Sequence, residues 1–132
     1  MVLGASGHNG GGIGVANSVT VENSVISGNT ASGHGGGIYV RRDFVLRSSL
    51  VSGNSAGTEQ GSQSSGGGIH LFNLIAPATI ESSTISENFA AGAGGGIATG
   101  ASRFIDVLQS TISGNTARIG GGANGGRINL RH

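Results

Sequence analysis

Short apolar runs recur along this 132-residue chain, set between stretches rich in Gly, Ser and Asn. Val19-Thr20-Val21, Phe44-Val45-Leu46, Ala78-Thr79-Ile80 and Ile105-Asp106-Val107 alternate with period two, the pattern of a strand with one buried face. A second set opens on a serine: Ser24-Val25-Ile26, Ser49-Leu50-Val51, Ser83-Thr84-Ile85 and Ser110-Thr111-Ile112. A third follows a run of glycines, as in Ile38-Tyr39-Val40. No window carries a helical pattern, because Gly or a β-branched residue interrupts each one. The pattern predicts two or three short strands per unit, joined by tight turns.

The units are copies of one another. VISGNTASGHGGGIYV (25–40) returns in altered form at 50–71, 84–99 and 111–125. Ile13, Ile38, Ile69, Ile97 and Ala123 each follow a glycine triplet, at intervals of roughly 25–31 residues, and a period of that size marks a solenoid. One such unit cannot close a core alone, but stacked units can. The predicted fold is therefore all-β: a right-handed, single-stranded parallel β-helix of about four to five coils, its hand following from the bias of parallel crossovers. Stacking makes Ile26, Val51, Ile85 and Ile112 one internal ladder and Val21, Leu46, Ile80 and Val107 another. Residues 1–132 form a single segment. Ile128-Asn129-Leu130 aligns with Val19-Thr20-Val21, so the sequence stops partway round a coil, and Met1-Val2-Leu3 offers no capping helix. The segment is expected to be a fragment of a longer solenoid, or to associate end to end.

Composition narrows the partners. Twenty-eight glycines would suit a disordered linker, but here they recur in register beside Ile and Val, so they are positional. A formal charge of +1, with every basic residue an Arg, argues against nucleic acid as a partner. The absence of Cys excludes disulfides and thiolate metal sites. No apolar run approaches the length of a membrane span, so no direct membrane insertion is expected. MVLGASGHNGGG at the start has neither the basic nor the apolar part of a secretory signal.

Residues able to carry chemistry fall among the recurring polar positions and the departures from the repeat. Asn29, Asn54, Asn88 and Asn115 hold one place in successive units and are read as a structural ladder of turn amides. Two segments are longer than their counterparts: Gly57–Ser65, and His70–Ile80, which contains the chain's one Pro, Pro77. Corner loops of a rigid solenoid are where binding determinants sit. The candidate binding residues are therefore Thr58, Glu59, Gln60, Gln63, His70, Phe72 and Asn73. Within them His70 is read as an outward surface residue, in the column of Gly14, Tyr39 and Ala98. Glu22, Arg47 and Glu81 align as an outward charge ladder, and Asp43 and Asp106 lie two columns and two coils apart. Neither set suits paired acid–base work or a Ca²⁺ cage of 6–8 oxygens. His8, His34, His70 and His132 match no zinc spacing. No Ser lies in a nucleophile elbow, and Gly10–Gly14 opens no helix that could cradle a phosphate. No catalytic residue, cofactor or metal is expected.

The GGGI segment and the I-x-x-N-x-A segment together resemble the repeats of polymorphic outer-membrane proteins, surface-exposed autotransporter passengers of the pectate-lyase-like superfamily. The resemblance rests on Gly35–Ile38, Gly66–Ile69 and Gly94–Ile97, with Ile26–Asn29, Val51–Asn54, Ile85–Asn88 and Ile112–Asn115. It departs from their GGA-I/L/V and F-x-x-N hallmarks in a third Gly and in an aliphatic residue for Phe. It implies a non-catalytic, secreted or surface-exposed bacterial scaffold or adhesin, part of a longer chain, with a host-surface or glycan ligand. The superfamily also hosts enzymes acting on acidic polysaccharides, and a polysaccharide-active segment is the alternative.

Overall fold

The computed structural model describes residues 1–57, 63–100 and 104–131. Within them the chain winds through five coils of four short strands. The first coil holds β1 (Val2–Leu3), β2 (Ser6–Gly7), β3 (Ile13–Val15) and β4 (Val19–Glu22). The second holds β5 (Val25–Ser27), β6 (Thr30–Ala31), β7 (Ile38–Val40) and β8 (Phe44–Arg47). The third holds β9 (Leu50–Ser52), β10 (Ser55–Ala56), β11 (Ile69–Leu71) and β12 (Ala78–Glu81). The fourth holds β13 (Thr84–Ser86), β14 (Phe89–Ala93), β15 (Ile97–Thr99) and β16 (Phe104–Leu108). The fifth holds β17 (Thr111–Ser113), β18 (Thr116–Ile119), β19 (Ala123–Asn124) and β20 (Arg127–Arg131). Corresponding strands pair from coil to coil, giving four five-stranded sheets. The pairing is parallel throughout, as in β5 with β9 and β8 with β12. The protein is a parallel β-solenoid.

The registers are those the repeat predicts. Ile26 pairs with Val51, Val51 with Ile85 and Ile85 with Ile112. Val21, Leu46, Ile80 and Val107 form the second column. Ile26, Val51, Ile80 and Ile85 are fully buried, and with Ile38, Ile69 and Ile97 they make one continuous core. Full burial of one such side chain stabilises by roughly 1.5–3 kcal/mol. On the outward side of the same strands, Arg47 binds Glu22 at 3.1 Å and Glu81 at 3.3 Å. These groups are half-exposed, so the pairs add little energy and serve register.

Each coil has four strands, where the pattern predicts two or three. The second sheet is built from β2, β6, β10, β14 and β18, most of them too short to show a period of two. Its inward residues include Ala31, Ala56 and Ala90, all buried. Alanine lets the wall of the coil come close to the axis, and it gives little hydrophobic signal in the sequence.

The glycine triplets have two separate jobs. The first member takes positive φ, as in Gly35 (φ 66) and Gly66 (φ 70), where a Cβ would be strained. In the first four triplets the second and third lie against the backbone of the next coil. A Cβ on Gly37 would sit 2.7 Å from the Gly68 carbonyl oxygen and 3.0 Å from the Asn54 amide.

The inward and outward assignment gives a direct contrast. Ile85→Asp should unfold the middle coils, because it places an unpaired charge between Val51 and Ile112. Thr20→Asp on the outer face should change stability by less than about 0.5 kcal/mol. Thermal melts followed by far-UV circular dichroism separate the two; equal melting would contradict the assignment.

Candidate functional site

Two polar ladders run up the corners of the solenoid. In the first, the backbone N–H and the Nδ2 of Asn29 both donate to Asn54 Oδ1, each at 3.0 Å. Asn54 repeats this towards Asn88, and Asn88 towards Asn115. The second proton of each Nδ2 goes to a carbonyl of the preceding coil: Ile26 for Asn54, Val51 for Asn88 and Ile85 for Asn115. Asn29, Asn54 and Asn88 are buried. Every donor and both lone pairs of the inner amides are therefore used, and none is free for a ligand. In the first coil Ala5 takes the Asn position and donates its N–H to Asn29 Oδ1 at 2.8 Å.

The second ladder was visible in the sequence as a recurring serine, but its role was not. The N–H of Ser24 donates to Ser49 Oγ, that of Ser49 to Ser83 Oγ, and that of Ser83 to Ser110 Oγ, at 3.0–3.1 Å. Each Oγ donates in turn to the carbonyl two residues back, such as Arg47 for Ser49. The residues before them, Asn23, Ser48, Ser82 and Gln109, all have φ of 47–49°. Left-handed backbone at a non-glycine residue is uncommon, and here it turns each coil sharply from the fourth sheet into the first.

The candidate binding residues separate into different environments. Thr58, Glu59 and Gln60 lie outside the described residues. Gln63 is exposed, and after it the first long segment folds back onto the solenoid. Ser65 forms a parallel bridge with Ala93 and donates its N–H to His34 Nδ1 at 3.1 Å. His70 does share its outward column with Tyr39 and Ala98, but it is not a surface residue. It is only 8% exposed. Its ring stacks on Tyr39 (centroids 5.5 Å apart, planes 7° apart) and meets the His34 ring at 4.6 Å. Sequence alone marks which face a side chain leaves from, not what lies over that face; here His34 and Tyr39 cover it. Burial, then the neighbouring His34, lowers the His70 pKa to about 4, partly offset by the Ser65 backbone. His34 is lowered as well, by burial and then by His8. Nδ1 of His70 is enclosed without a hydrogen-bond partner.

The second long segment is anchored to the core. Leu74 points into the core and is buried, while Phe72 and Ile75 on either side are exposed. Asn73 takes φ 57 to make this turn. Phe72 and Asn73 thus stand on the corner between the third and fourth sheets. The Arg41 guanidinium lies 5.6 Å from the Phe72 ring centre, and that of Arg127 lies 5.5 Å from Phe104. Neither pair was legible in the sequence, because the partners are far apart along the chain.

The carboxylates do not converge. Glu22 and Glu81 are held by Arg47, Asp106 accepts from Asn129 at 2.9 Å, and Asp43 accepts from Ser18 Oγ at 3.1 Å. Among the described residues no cluster of three or more His, Asp or Glu has the arrangement of a metal site. A hollow lined by Val107, Ile112, Ala123, Ile128 and Leu130 is the apolar interior seen end-on at the fifth coil.

Residues 23–41 match the family model of the Chlamydia polymorphic membrane protein (Chlamydia_PMP) repeat. The matched stretch contains both Ile26–Asn29 and Gly35–Ile38, the two segments that recur in the other coils. No curated protein and no solved structure matches the chain. Repeat match and solenoid together make this a parallel β-helix protein with repeats like those of polymorphic outer-membrane proteins, a family of bacterial surface or outer-membrane proteins.

Two outcomes follow. Asn88→Ala strands two donors of Asn54, and at roughly 1–3 kcal/mol for each buried unsatisfied group it should destabilise by at least about 2 kcal/mol. Denaturant melts measure this, with exposed Gln63→Ala as the neutral control. The second concerns pH. An unfolded His titrates near 6.5, whereas folded His70 resists protonation down to about 4. Between these values the unfolded chain binds the extra proton, so stability is intact above about pH 6.5 and falls as pH drops towards 4. The loss is on the order of 3 kcal/mol, and it should shrink in His70→Gln when melting temperature is followed from pH 7 to 4.

Proposed function

We propose that this chain is a non-catalytic, surface-exposed scaffold of a bacterial cell-surface protein, which holds corner segments in fixed positions for binding. The observation that carries the reading is the segment Phe72–Pro77. It interrupts an otherwise regular corner, yet Leu74 fixes it to the core and leaves Phe72, Asn73 and Ile75 in solvent. A loop without function has no need of such an anchor, whereas a binding loop gains affinity from being pre-organised. The repeat match adds the expectation of a cell-surface setting. The dispersal of the carboxylates, with Glu22, Glu81, Asp43 and Asp106 each engaged by a neighbour, supports a binding role over acid–base chemistry.

The test is binding of labelled protein to an epithelial cell monolayer, run beside an assay for unsaturated products from polygalacturonate with and without Ca²⁺. Saturable binding is expected, weakened several-fold in a Phe72→Ala/Asn73→Ala variant of unchanged melting temperature, with no product formed. Product that disappears in Asp43→Ala or Asp106→Ala would establish an enzyme instead. Absence of saturable binding would overturn the scaffold reading.

A further inference from the structure

The corner between the third and fourth sheets carries two cation–aromatic pairs that the repeat does not require. Arg41 follows β7 and Phe72 follows β11, so they occupy one place on neighbouring coils. Phe104 opens β16 and Arg127 opens β20, and these two are register partners on the other side of the same corner. Along the axis the order is Arg41, Phe72, Phe104, Arg127, one per coil: two cations outside two rings. At 4.7–4.9 Å between neighbouring strands, the four span roughly 14 Å along the axis, in two columns on either side of the corner.

Two of the chain's three exposed Phe rings stand here, the third being Phe89 on the second sheet. Phe72 is 43% and Phe104 38% exposed, in a protein with four Phe in all. Exposed aromatic surface ringed by polar groups marks an interaction site. The arginines are unspent: among the described residues, Arg41, Arg42 and Arg127 have no carboxylate within 4 Å, and the ion pairs belong to Arg47. Asp43 stands beside them: Ser18 donates to its Oδ2, and its Oδ1 is enclosed without a hydrogen-bond partner. A guanidinium resting on a ring is already oriented, and its N–H fork stays available for a bidentate anion.

We propose that this corner binds an acidic glycan, with Phe72 and Phe104 stacking on sugar faces and Arg41, Arg42 and Arg127 taking its carboxylate or sulfate groups. The inference rests on the binding-scaffold reading and names its ligand class. A glycan fits better than an acidic peptide because of the backbone. The strand N–H and C=O groups on this flank are spent on the coils above and below, so a peptide cannot add itself as a strand there. Recognition falls to side chains alone, and these are two cation–ring pairs, one on each flank of the corner.

Isothermal titration at 0.15 M salt tests this with four probes: hyaluronate, whose charges are carboxylates; chondroitin sulfate, which adds sulfates; neutral dextran; and poly-glutamate. At least one acidic glycan should bind, and the stronger of the two shows which anion the arginines prefer. Phe72→Ala, Phe104→Ala, Arg41→Gln and Arg127→Gln should each weaken that binding about tenfold, a loss of the size expected for one ring or one charge-assisted contact. Arg118→Gln, on β18 away from this corner, should leave it unchanged. Dextran and poly-glutamate should bind at least about tenfold more weakly. All substituted side chains are exposed, and unchanged melting curves verify the fold. Equal binding by the Phe variants, or poly-glutamate binding as tightly as the glycans, would reduce the site to a charge effect and overturn the inference. So would the failure of both acidic glycans to bind. If cell binding persists in that case, only the ligand class is wrong; if cell binding is absent too, the scaffold reading falls with it.

Discussion

The stack depends on one hydrogen bond acceptor, the Oδ1 of a buried asparagine, which takes two donors from the coil before it. The two 3.0 Å bonds fix where each coil sits over the next, and they do so inside the wall, where an unmet donor is expensive. The close approach of the amide explains the last glycine of the first four triplets as well. Gly12, Gly37, Gly68 and Gly96 lie where a Cβ would come within about 3.0 Å of the side chains of Asn29, Asn54, Asn88 and Asn115. The two most conspicuous features of the sequence, the lone Asn and the Gly triplet, are thus two halves of one contact.

Period-two segments expose register to inspection, which is why the aliphatic columns and the Glu22–Arg47–Glu81 row could be placed from the sequence. The recurring Ser could be seen but not interpreted, since its bonds run to backbone groups of neighbouring coils. The second sheet was not anticipated, because Thr30–Ala31 and Ser55–Ala56 are too short to carry a pattern. His70 shows a different limit. Its column was legible, but its burial depends on His34, a residue 36 positions earlier whose ring turns over it. Leu74 was hidden for a similar reason: inside a long irregular segment, nothing in the spacing marks one apolar residue as inward.

The division between fixed and variable parts follows from the same physics. Interior columns must repeat in kind, because each side chain packs on its equivalents above and below. Corners only have to bring the chain back in register. Gly125-Gly126 does so in two residues, and Phe72–Pro77 does so in six. Lateral diversity therefore adds little strain to the core, and it is largest in the connection from the second sheet to the third, which ranges from 94–96 to 57–68. The His34–Ser65 contact shows how a long excursion is tied down again before the next glycine triplet.

The first coil lies at one end of the stack and the fifth at the other. A pull between the two ends of the chain is thus directed along the solenoid axis, in line with the hydrogen bonds between coils. Such loading peels rather than shears: the outermost coil carries the strain at its rim while those behind it stay closed. Each coil set free releases about 25 residues of slack, roughly 80 Å when drawn out. The molecule has a succession of small yield points in place of a single rupture, and it lengthens under tension while the inner coils keep their form.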